Sequence, residues 1–339
     1  MTLRAKIAGT GMYVPERVVS NDDLALLMDT SDEWIQQRSG IVTRRHVAPG
    51  QQPSELAEQA SRRALEAAGC QASEIDCILL ATLSAEAEFP GTSYFLQARL
   101  EIGEVPCFDL RAQCSGFVYA LSVANSFVRA GTYERVLVVG CEVHSTGLDY
   151  STEGRDVTVL FGDGAGAAVI SATEVQDDSP ASRESFILST HLHSDGGLLG
   201  HLLWAHPGTA NPQFLTQSLM DEPESYPQMR GRELKVICLE RMPEVTFEAL
   251  NAHGYKPDDV DLYVIHQSNK LINEAYAEAM RVPQEKVFST IEDFGNTTAA
   301  TIPIGLSEAV RRGRLKRGML VASCSFGSGI TWASALYRW

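Results

Sequence analysis

Ala64-Leu65-Glu66-Ala67-Ala68-Gly69 and, 185 residues further on, Ala249-Leu250-Asn251-Ala252-His253-Gly254 are two copies of one helix ending. A short acidic turn follows each copy: Glu74-Ile75-Asp76 in the first, Asp259-Val260-Asp261 in the second. An apolar run comes next, Ile78-Leu79-Leu80-Ala81 and Leu262-Tyr263-Val264-Ile265. Glycine just past a helix adopts the left-handed cap without a Cβ clash. Two further echoes keep the same order. Val128-Arg129-Ala130-Gly131 before Val136-Leu137-Val138-Val139 matches Val310-Arg311-Arg312-Gly313 before Met319-Leu320-Val321-Ala322. Phe161-Gly162-Asp163-Gly164 matches Phe326-Gly327-Ser328-Gly329, and all offsets lie between 165 and 185. Three ordered matches favour a duplication over chance. Continuous apolar strands alternating with helices predict a mainly parallel sheet covered on both faces in each copy. The expected division is 1–175 and 176–339.

The 339 residues include 43 acidic and 28 basic side chains, a formal charge of −15. A general nucleic-acid binder needs the opposite sign. Seven cysteines are scattered and odd in number, with no Cys-x-x-Cys. That argues against a disulfide framework or a zinc cage and for a reducing compartment. No stretch approaches the ~18 continuous apolar residues of a membrane span. The start, Met1-Thr2-Leu3-Arg4-Ala5-Lys6-Ile7, lacks the apolar run of a signal peptide. The expectation is a cytoplasmic protein that uses no metal and binds neither nucleic acid nor membrane. The segment His206–Gln228, with Pro207, Pro212, Pro223 and Pro227, breaks the pattern as an irregular insertion.

Three residues could carry chemistry. Cys114 lies in Arg111-Ala112-Gln113-Cys114-Ser115-Gly116, a tight turn from a strand near Val105–Leu110 into a helical run from Phe117. At a helix N-terminus, free N–H groups and the dipole are expected to favour a thiolate. His266 ends the strand Asp261–His266, and strand carboxyl ends face the ligand crevice in α/β proteins. Asn296 falls 182 residues after Cys114, at the same elbow of the second copy. An N-cap is the plain explanation of Asn296; the duplicated frame places it opposite Cys114. The run Phe161-Gly162-Asp163-Gly164-Ala165-Gly166 lacks a P-loop lysine and enters a strand, so it reads as close packing.

Taken together, Thr30-Ser31-Asp32-Glu33-Trp34 through Ile41, the Cys114 elbow, Leu160–Val169, Ile265-His266-Gln267-Ser268-Asn269, Gly295-Asn296-Thr297 and Phe326–Trp332 resemble the β-ketoacyl-acyl-carrier-protein synthase III family of thiolase-fold condensing enzymes. The resemblance runs from Gly9 to Trp339. It implies an α/β thiolase-like fold: two pseudo-symmetric βαβαβαββ halves in a five-layered α-β-α-β-α body, assembled as a homodimer. It also implies a decarboxylating Claisen condensation that starts fatty acid synthesis. Acyl-CoA would prime Cys114, and malonyl-acyl carrier protein, or malonyl-CoA, would then condense with it. No permanently bound cofactor is implied.

The resemblance assigns His266 and Asn296 as donors to the enolate oxygen, and the backbone N–H groups of Cys114 and Ser328 as the oxyanion hole. Trp34 and Arg155 would sandwich the adenine of CoA, Arg38 would meet phosphate, and Asn269 would line the pantetheine channel. Phe89 would reach across the dimer to close the partner's acyl pocket. Lys270 and Leu271 stand where the family carries a leucine and then a carrier-docking arginine. Arg-Ala-Gln-Cys-Ser-Gly and Met229-Arg230-Gly231-Arg232 are also similar to the branch that makes alkylquinolone precursors. A specialised condensing or acyl-transferring enzyme is therefore the near alternative. A Cys-His-Asn thioester hydrolase and a non-catalytic heterodimer partner are more distant ones.

Overall fold

The computed structural model describes residues 2–177, 179, 182–210, 214 and 225–339. Most of the Pro-rich stretch, with Pro212 and Pro223, lies outside the described residues.

One sheet holds five strands in the order β1 (Thr2–Tyr13), β7 (Gly164–Val175), β6 (Arg135–Glu142), β4 (Cys77–Ala81), β5 (Cys107–Leu110). A second holds β11 (Leu262–Tyr263), β12 (Leu320–Gly327), β13 (Thr331–Arg338) and β8 (Phe186–Ser194) in that order. The two orders correspond strand for strand. β4 and β6 pair in parallel, as do β11 and β12; β6–β7 and β12–β13 are antiparallel, and so are β7–β1 and β13–β8. The place of β5 in the second sheet is marked by a single parallel bridge, Tyr263 to Val287. β2 (Arg17–Ser20) and β3 (Thr43–His46) form a side ribbon, and β9 (Leu202–Leu203) pairs with β10 (Gln228–Met229).

Helices Gly116–Arg129 and Thr301–Arg311 lie between the sheets. Phe117, Leu121 and Ala124 of the first and Ile302, Leu306 and Ala309 of the second share one buried cluster with Val136, Val138, Val321 and Ala335 from both sheets. Small side chains on the strands let two helices enter this layer. Helix Pro53–Ala68 covers the outer face of the first sheet, with Leu56, Ala60 and Ala64 on Leu137, Val139 and Val169. Helix Gly231–Ala252 covers the second, with Met242, Val245 and Ala249 on Ala322 and Leu336. The layers run helix, sheet, helix, sheet, helix, as the family resemblance implies; the sheets are mixed and not the mainly parallel ones the alternating pattern predicts, because two strand pairings in each are antiparallel. Gly69 and Gly254 take left-handed φ values of 66° and 70° at the repeated helix ends.

The apolar run ending at His266 departs from its expectation, because β11 stops at Tyr263. The backbone nevertheless continues along β12: the N–H groups of Val264 and His266 donate to the carbonyls of Ala322 and Cys324 at 3.0 and 2.8 Å. His266 is thus fixed by strand-like bonds without being in a regular strand.

Candidate active site

Cys114 occupies a single 3-10 turn, Gln113–Ser115, between β5 and helix Gly116–Arg129. The turn abuts the end of β12. A methyl group on Gly327 would sit 2.8 Å from Cys114 Cβ and 2.9 Å from its nitrogen, so only glycine allows this approach. Gly116 similarly faces Ala81 and Ala299, which brings the cysteine turn against the turn after Asn296. The thiol is 7% exposed. Burial pushes it up to about 12, and the neighbouring Glu142 adds to the rise; backbone N–H groups of Cys114 and Ser328 act the other way. The sequence suggested a thiolate favoured by the helix N-terminus. Desolvation outweighs that term here, so the resting group is the neutral thiol.

His266 is buried and its imidazole is pushed down to about 3 by burial alone. Nδ1 lies 2.8 Å from Thr301 Oγ1, whereas Nε2 has no hydrogen-bond partner. The adjacent Gln267, which the sequence reading passed over although it lies within the quoted His-Gln-Ser-Asn motif, fixes this segment. Its amide donates to the carbonyls of Ile265 and Phe288 at 3.0 and 3.1 Å. Its oxygen accepts from Asn273 Nδ2 at 2.9 Å and from the Thr290 N–H at 3.1 Å.

Asn296 is not an N-cap; that position of the following 3-10 turn falls to Thr297. Its side-chain Oδ1 instead accepts the Thr298 N–H at 2.8 Å. Its backbone is clamped to the first half: Asn296 N–H donates to Leu160 O, and Gly162 N–H donates to Asn296 O. Gly162 would meet Phe294 O if it carried a methyl group, and Gly166 would meet Ile304 N at 2.7 Å. The glycine-rich run therefore acts by close packing, as its lack of a lysine suggests. Its Asp163 carries a role that the motif alone does not reveal. It accepts from the N–H groups of Val47, His144 and Ser145 and from the Ser145 hydroxyl, tying three segments behind the site.

Glu142 and His144 are two further buried groups that only the fold could bring here. Glu142, at the end of β6, accepts from Ser84 Oγ at 2.7 Å and from the Leu83 N–H at 3.2 Å. Burial lifts its carboxyl to about 7. His144 Nε2 lies 2.7 Å from Thr298 Oγ1, and its ring packs on Phe161 at 4.6 Å between centroids.

Trp34 and Arg38 sit on helix Asp32–Ser39, capped by Ser31 and ended by Gly40 at φ 73°. The guanidinium carbons of Arg38 and Arg155 lie 4.3 and 5.1 Å from the Trp34 ring centroid. Asn269 joins them: its Nδ2 donates to Arg38 O at 2.7 Å while its Oδ1 caps helix Lys270–Met280 at Leu271 N–H, 2.8 Å. Its side chain is thus committed to holding the helix that bears Arg38. Ser328 Oγ donates to Leu202 O at 2.6 Å, so the serine fastens the β9 hairpin while its N–H serves the Cys114 sulfur. Phe89 is 85% exposed. Lys270, beside the position where the family carries its docking arginine, pairs with Glu292 at 3.2 Å, and Arg311 and Arg312 pair with Glu308. All seven cysteines are free, and among the described residues no group of three His, Cys, Asp or Glu side chains could hold a metal ion.

Two sheets of matching strand order around a central helix pair, with a cysteine at the turn into one central helix, define the class: a thiolase-fold condensing acyltransferase. Comparison with known proteins gives the family. Residues 108–196 match the model for 3-oxoacyl-[acyl-carrier-protein (ACP)] synthase III, and residues 250–339 match the model for its C-terminal part. The chain is 42% identical to the beta-ketoacyl-[acyl-carrier-protein] synthase III of Methylococcus capsulatus, over 100% of both chains. It is similar to the solved 3-oxoacyl-[acyl-carrier-protein] synthase III of Aquifex aeolicus (40% identity, 99% and 100% coverage, TM-score 0.88). It is also similar to the priming beta-ketosynthase of the R1128 polyketide pathway (30% identity, 100% and 98% coverage, TM-score 0.88). The chain belongs to the β-ketoacyl-acyl-carrier-protein synthase III family. No described helix is long and apolar enough to cross a membrane.

Proposed function

We propose that Cys114, His266 and Asn296 are the catalytic set with which this acyltransferase performs the family's decarboxylating condensation at the start of fatty acid synthesis. The observation that carries this reading is the shared turn Thr298–Thr301, which holds both the Asn296 amide and the His266 ring, while His266 Nε2 is buried without a partner.

In the first half-reaction the Cys114 sulfur attacks the carbonyl of an acyl-CoA. The Cys114 and Ser328 N–H groups hold the oxyanion, the bond to CoA sulfur breaks, and the cysteine proton leaves with CoA. The exchange of one thioester for another needs positioning more than driving force; the attacking species is the thiolate, which the Cys114 and Ser328 N–H groups favour against the cost of burial. In the second, a malonyl thioester loses CO2 and its electron pair moves onto the thioester oxygen. Nε2–H of His266 and Nδ2–H of Asn296 donate to that oxygen. The carbanion attacks the acyl-cysteine carbonyl, the carbon–sulfur bond breaks, and a β-ketoacyl thioester leaves while the Cys114 thiolate takes a proton from solvent. No step calls on a bound cofactor.

The acyl donor enters past Trp34, Arg38, Arg155 and Asn269, where stacking and charge suit a nucleotide. The unit is a homodimer, a reading supported by β5 as a sheet edge with Phe108 exposed and by Phe89, 85% exposed, which is the side chain offered to the partner's acyl pocket. The duplicated units are 1–175 and 176–339, and the enzyme works in the cytoplasm. Malonyl-acyl carrier protein is the extender. Malonyl-CoA is the alternative, favoured by the Lys270–Glu292 pair and by Leu271, 38% exposed where the family carries its docking arginine.

A malonyl-dependent condensation assay over acetyl-, octanoyl- and aroyl-CoA tests the reading, with each extender in turn. Intact-mass measurement should find one acyl adduct that Cys114→Ala abolishes. An adduct that persists in Cys114→Ala, or free acid without carbon–carbon bond formation, overturns it.

A further inference from the structure

Thr301 is 2% exposed, at the start of a central helix. Its single hydroxyl proton has two acceptors in reach: His266 Nδ1 at 2.8 Å and Thr298 O at 2.9 Å. If the proton goes to Thr298 O, Nδ1 must carry the ring proton and donate to Oγ1, and Nε2 presents a lone pair. If it goes to Nδ1, the ring proton resides on Nε2. Thr298 O already receives the Thr301 backbone N–H, so it is satisfied without the hydroxyl. Nδ1 has no other partner. Nε2, on the opposite side of the ring, has none at all. The two arrangements are not equivalent for chemistry, because a lone pair facing a developing enolate repels it and an N–H stabilises it.

We propose that Thr301 is a positioning residue for the condensation step: its hydroxyl donates to His266 Nδ1 and keeps the proton of the neutral imidazole on Nε2. This rests on the reading of His266 as an enolate donor. The same turn sets the second donor, since the Thr298 N–H occupies Asn296 Oδ1 and leaves Nδ2 as the free face of that amide. One four-residue turn thereby fixes both which nitrogen of His266 and which end of Asn296 donates. Thr301 never touches substrate; it acts through His266.

The test joins a spectroscopic and a kinetic reading on the full-length enzyme. Nitrogen-15 NMR of histidine-labelled protein should place the His266 proton on Nε2 in the wild type and in Thr301→Ser. In Thr301→Val, which keeps the shape and removes the hydroxyl, both tautomers should appear. Condensation from pre-acylated enzyme should fall about 10- to 100-fold in Thr301→Val and recover in Thr301→Ser, while acylation of Cys114 changes less than about threefold. A wild-type spectrum with the proton on Nδ1 overturns the proposal. So does a Thr301→Val enzyme that keeps the Nε2 proton alone, or one that loses acylation and condensation equally. His266→Ala separates the two levels: if it condenses normally, the reading of His266 fails, whereas a dead His266→Ala beside an unaltered Thr301→Val sinks only the role of Thr301. Should Thr301→Val not fold, the wild-type and Thr301→Ser spectra still decide.

Discussion

Asn296 gives its side-chain oxygen to the Thr298 backbone N–H at 2.8 Å, so the only donor this amide can offer is Nδ2. Asn296→Asp isolates that donor. The carboxylate still accepts from Thr298, which preserves the turn, but replaces an N–H with a negative oxygen where charge develops. Condensation should drop by about 10²–10³, the cost of one preorganised donor. Acylation of Cys114 should persist, as measured by intact mass after brief mixing with acyl-CoA. Equal loss of both steps would place Asn296 in the first half-reaction instead.

Gly327 bears on Cys114 by contact alone. Gly327→Ala would put a methyl group within 2.9 Å of both the Cys114 nitrogen and Cβ, and the backbone on each side leaves little room to yield. Overpacking of this kind costs about 1–3 kcal/mol, and displacement of a reacting atom by an ångström costs about 10²-fold in rate. The expected outcome is a folded enzyme with a lower midpoint in urea and at least 100-fold slower acylation. Unchanged acylation kinetics would show that the cysteine turn is not held by this contact.

The Cys114 thiol near 12 and the Glu142 carboxyl near 7 are neighbours whose charges oppose one another. Alkylation of Cys114 by iodoacetamide should therefore keep rising from pH 7 to beyond pH 10, without the levelling above about pH 9.5 that an ordinary thiol gives. Removing the negative charge with Glu142→Gln should speed alkylation at pH 8–9, where the native carboxyl is ionised, and leave it nearly unchanged at pH 6. The site-resolved rate is read by peptide mass spectrometry; a rate independent of Glu142 at both pH values refutes the coupling.

Three buried histidines set the acid limit of the fold. Burial lowers His46 to about 4, and His144 and His266 to about 3. Unfolded, each takes up a proton near pH 6.5. Their contribution is complete above pH 6.5 and is lost as pH falls towards the native values. Glu142, lifted by burial, works in the opposite sense between about 4.5 and 7. His253 is lowered in the same sense as these three and Asp163 is raised like Glu142, and the histidines prevail, leaving a net loss of roughly 1–3 kcal/mol per pH unit between 6.5 and 5. Urea midpoints at pH 7.5, 6 and 5 measure it, and a flat profile would contradict it.

The duplication was legible because its marks are local. Helix ends at Gly69 and Gly254, apolar strand runs and the Cys114 and Asn296 elbows all declare themselves within a few residues, and the matching strand orders follow from them. The thiolate expected at Cys114 failed for the opposite reason. Its environment is set by Gly327, Glu142 and Ser328, which lie 28 to 214 positions away in the chain and are invisible to a reading of the elbow. Gln267, Asp163 and Thr301 escaped notice on the same ground: a buried amide, carboxylate or hydroxyl acquires its meaning from partners that only packing supplies. The short β11 shows the limit for secondary structure. An apolar run states that a segment is buried, but whether it is regular depends on the neighbour, and here only one side of the run finds a full strand.

At the proposed nucleotide entrance the Trp34 face is already occupied. The Arg155 guanidinium carbon is 5.1 Å from the Trp34 centroid, and its side chain is tied to the Asp29 carboxylate at 3.6 Å and to the Asp29 carbonyl. An adenine placed between them needs about 7 Å, twice the ~3.5–4 Å contact of carbon atoms. Arg155 must therefore withdraw by about 2 Å before it can close over the base, and the Asp29 pair opposes that movement. Asp29→Asn, at an 87% exposed side chain, should ease the withdrawal and lower KM for acyl-CoA by about two- to threefold, the modest worth of an exposed ion pair. Arg155→Ala should raise KM by about three- to tenfold through the lost stacking charge. Neither should alter condensation once Cys114 carries its acyl group. Quenching of Trp34 fluorescence by CoA, read against Trp34→Phe, reports the binding step directly. An Asp29→Asn enzyme that binds CoA more weakly than the wild type would mean that the pair positions Arg155 for the base and does not hold it back.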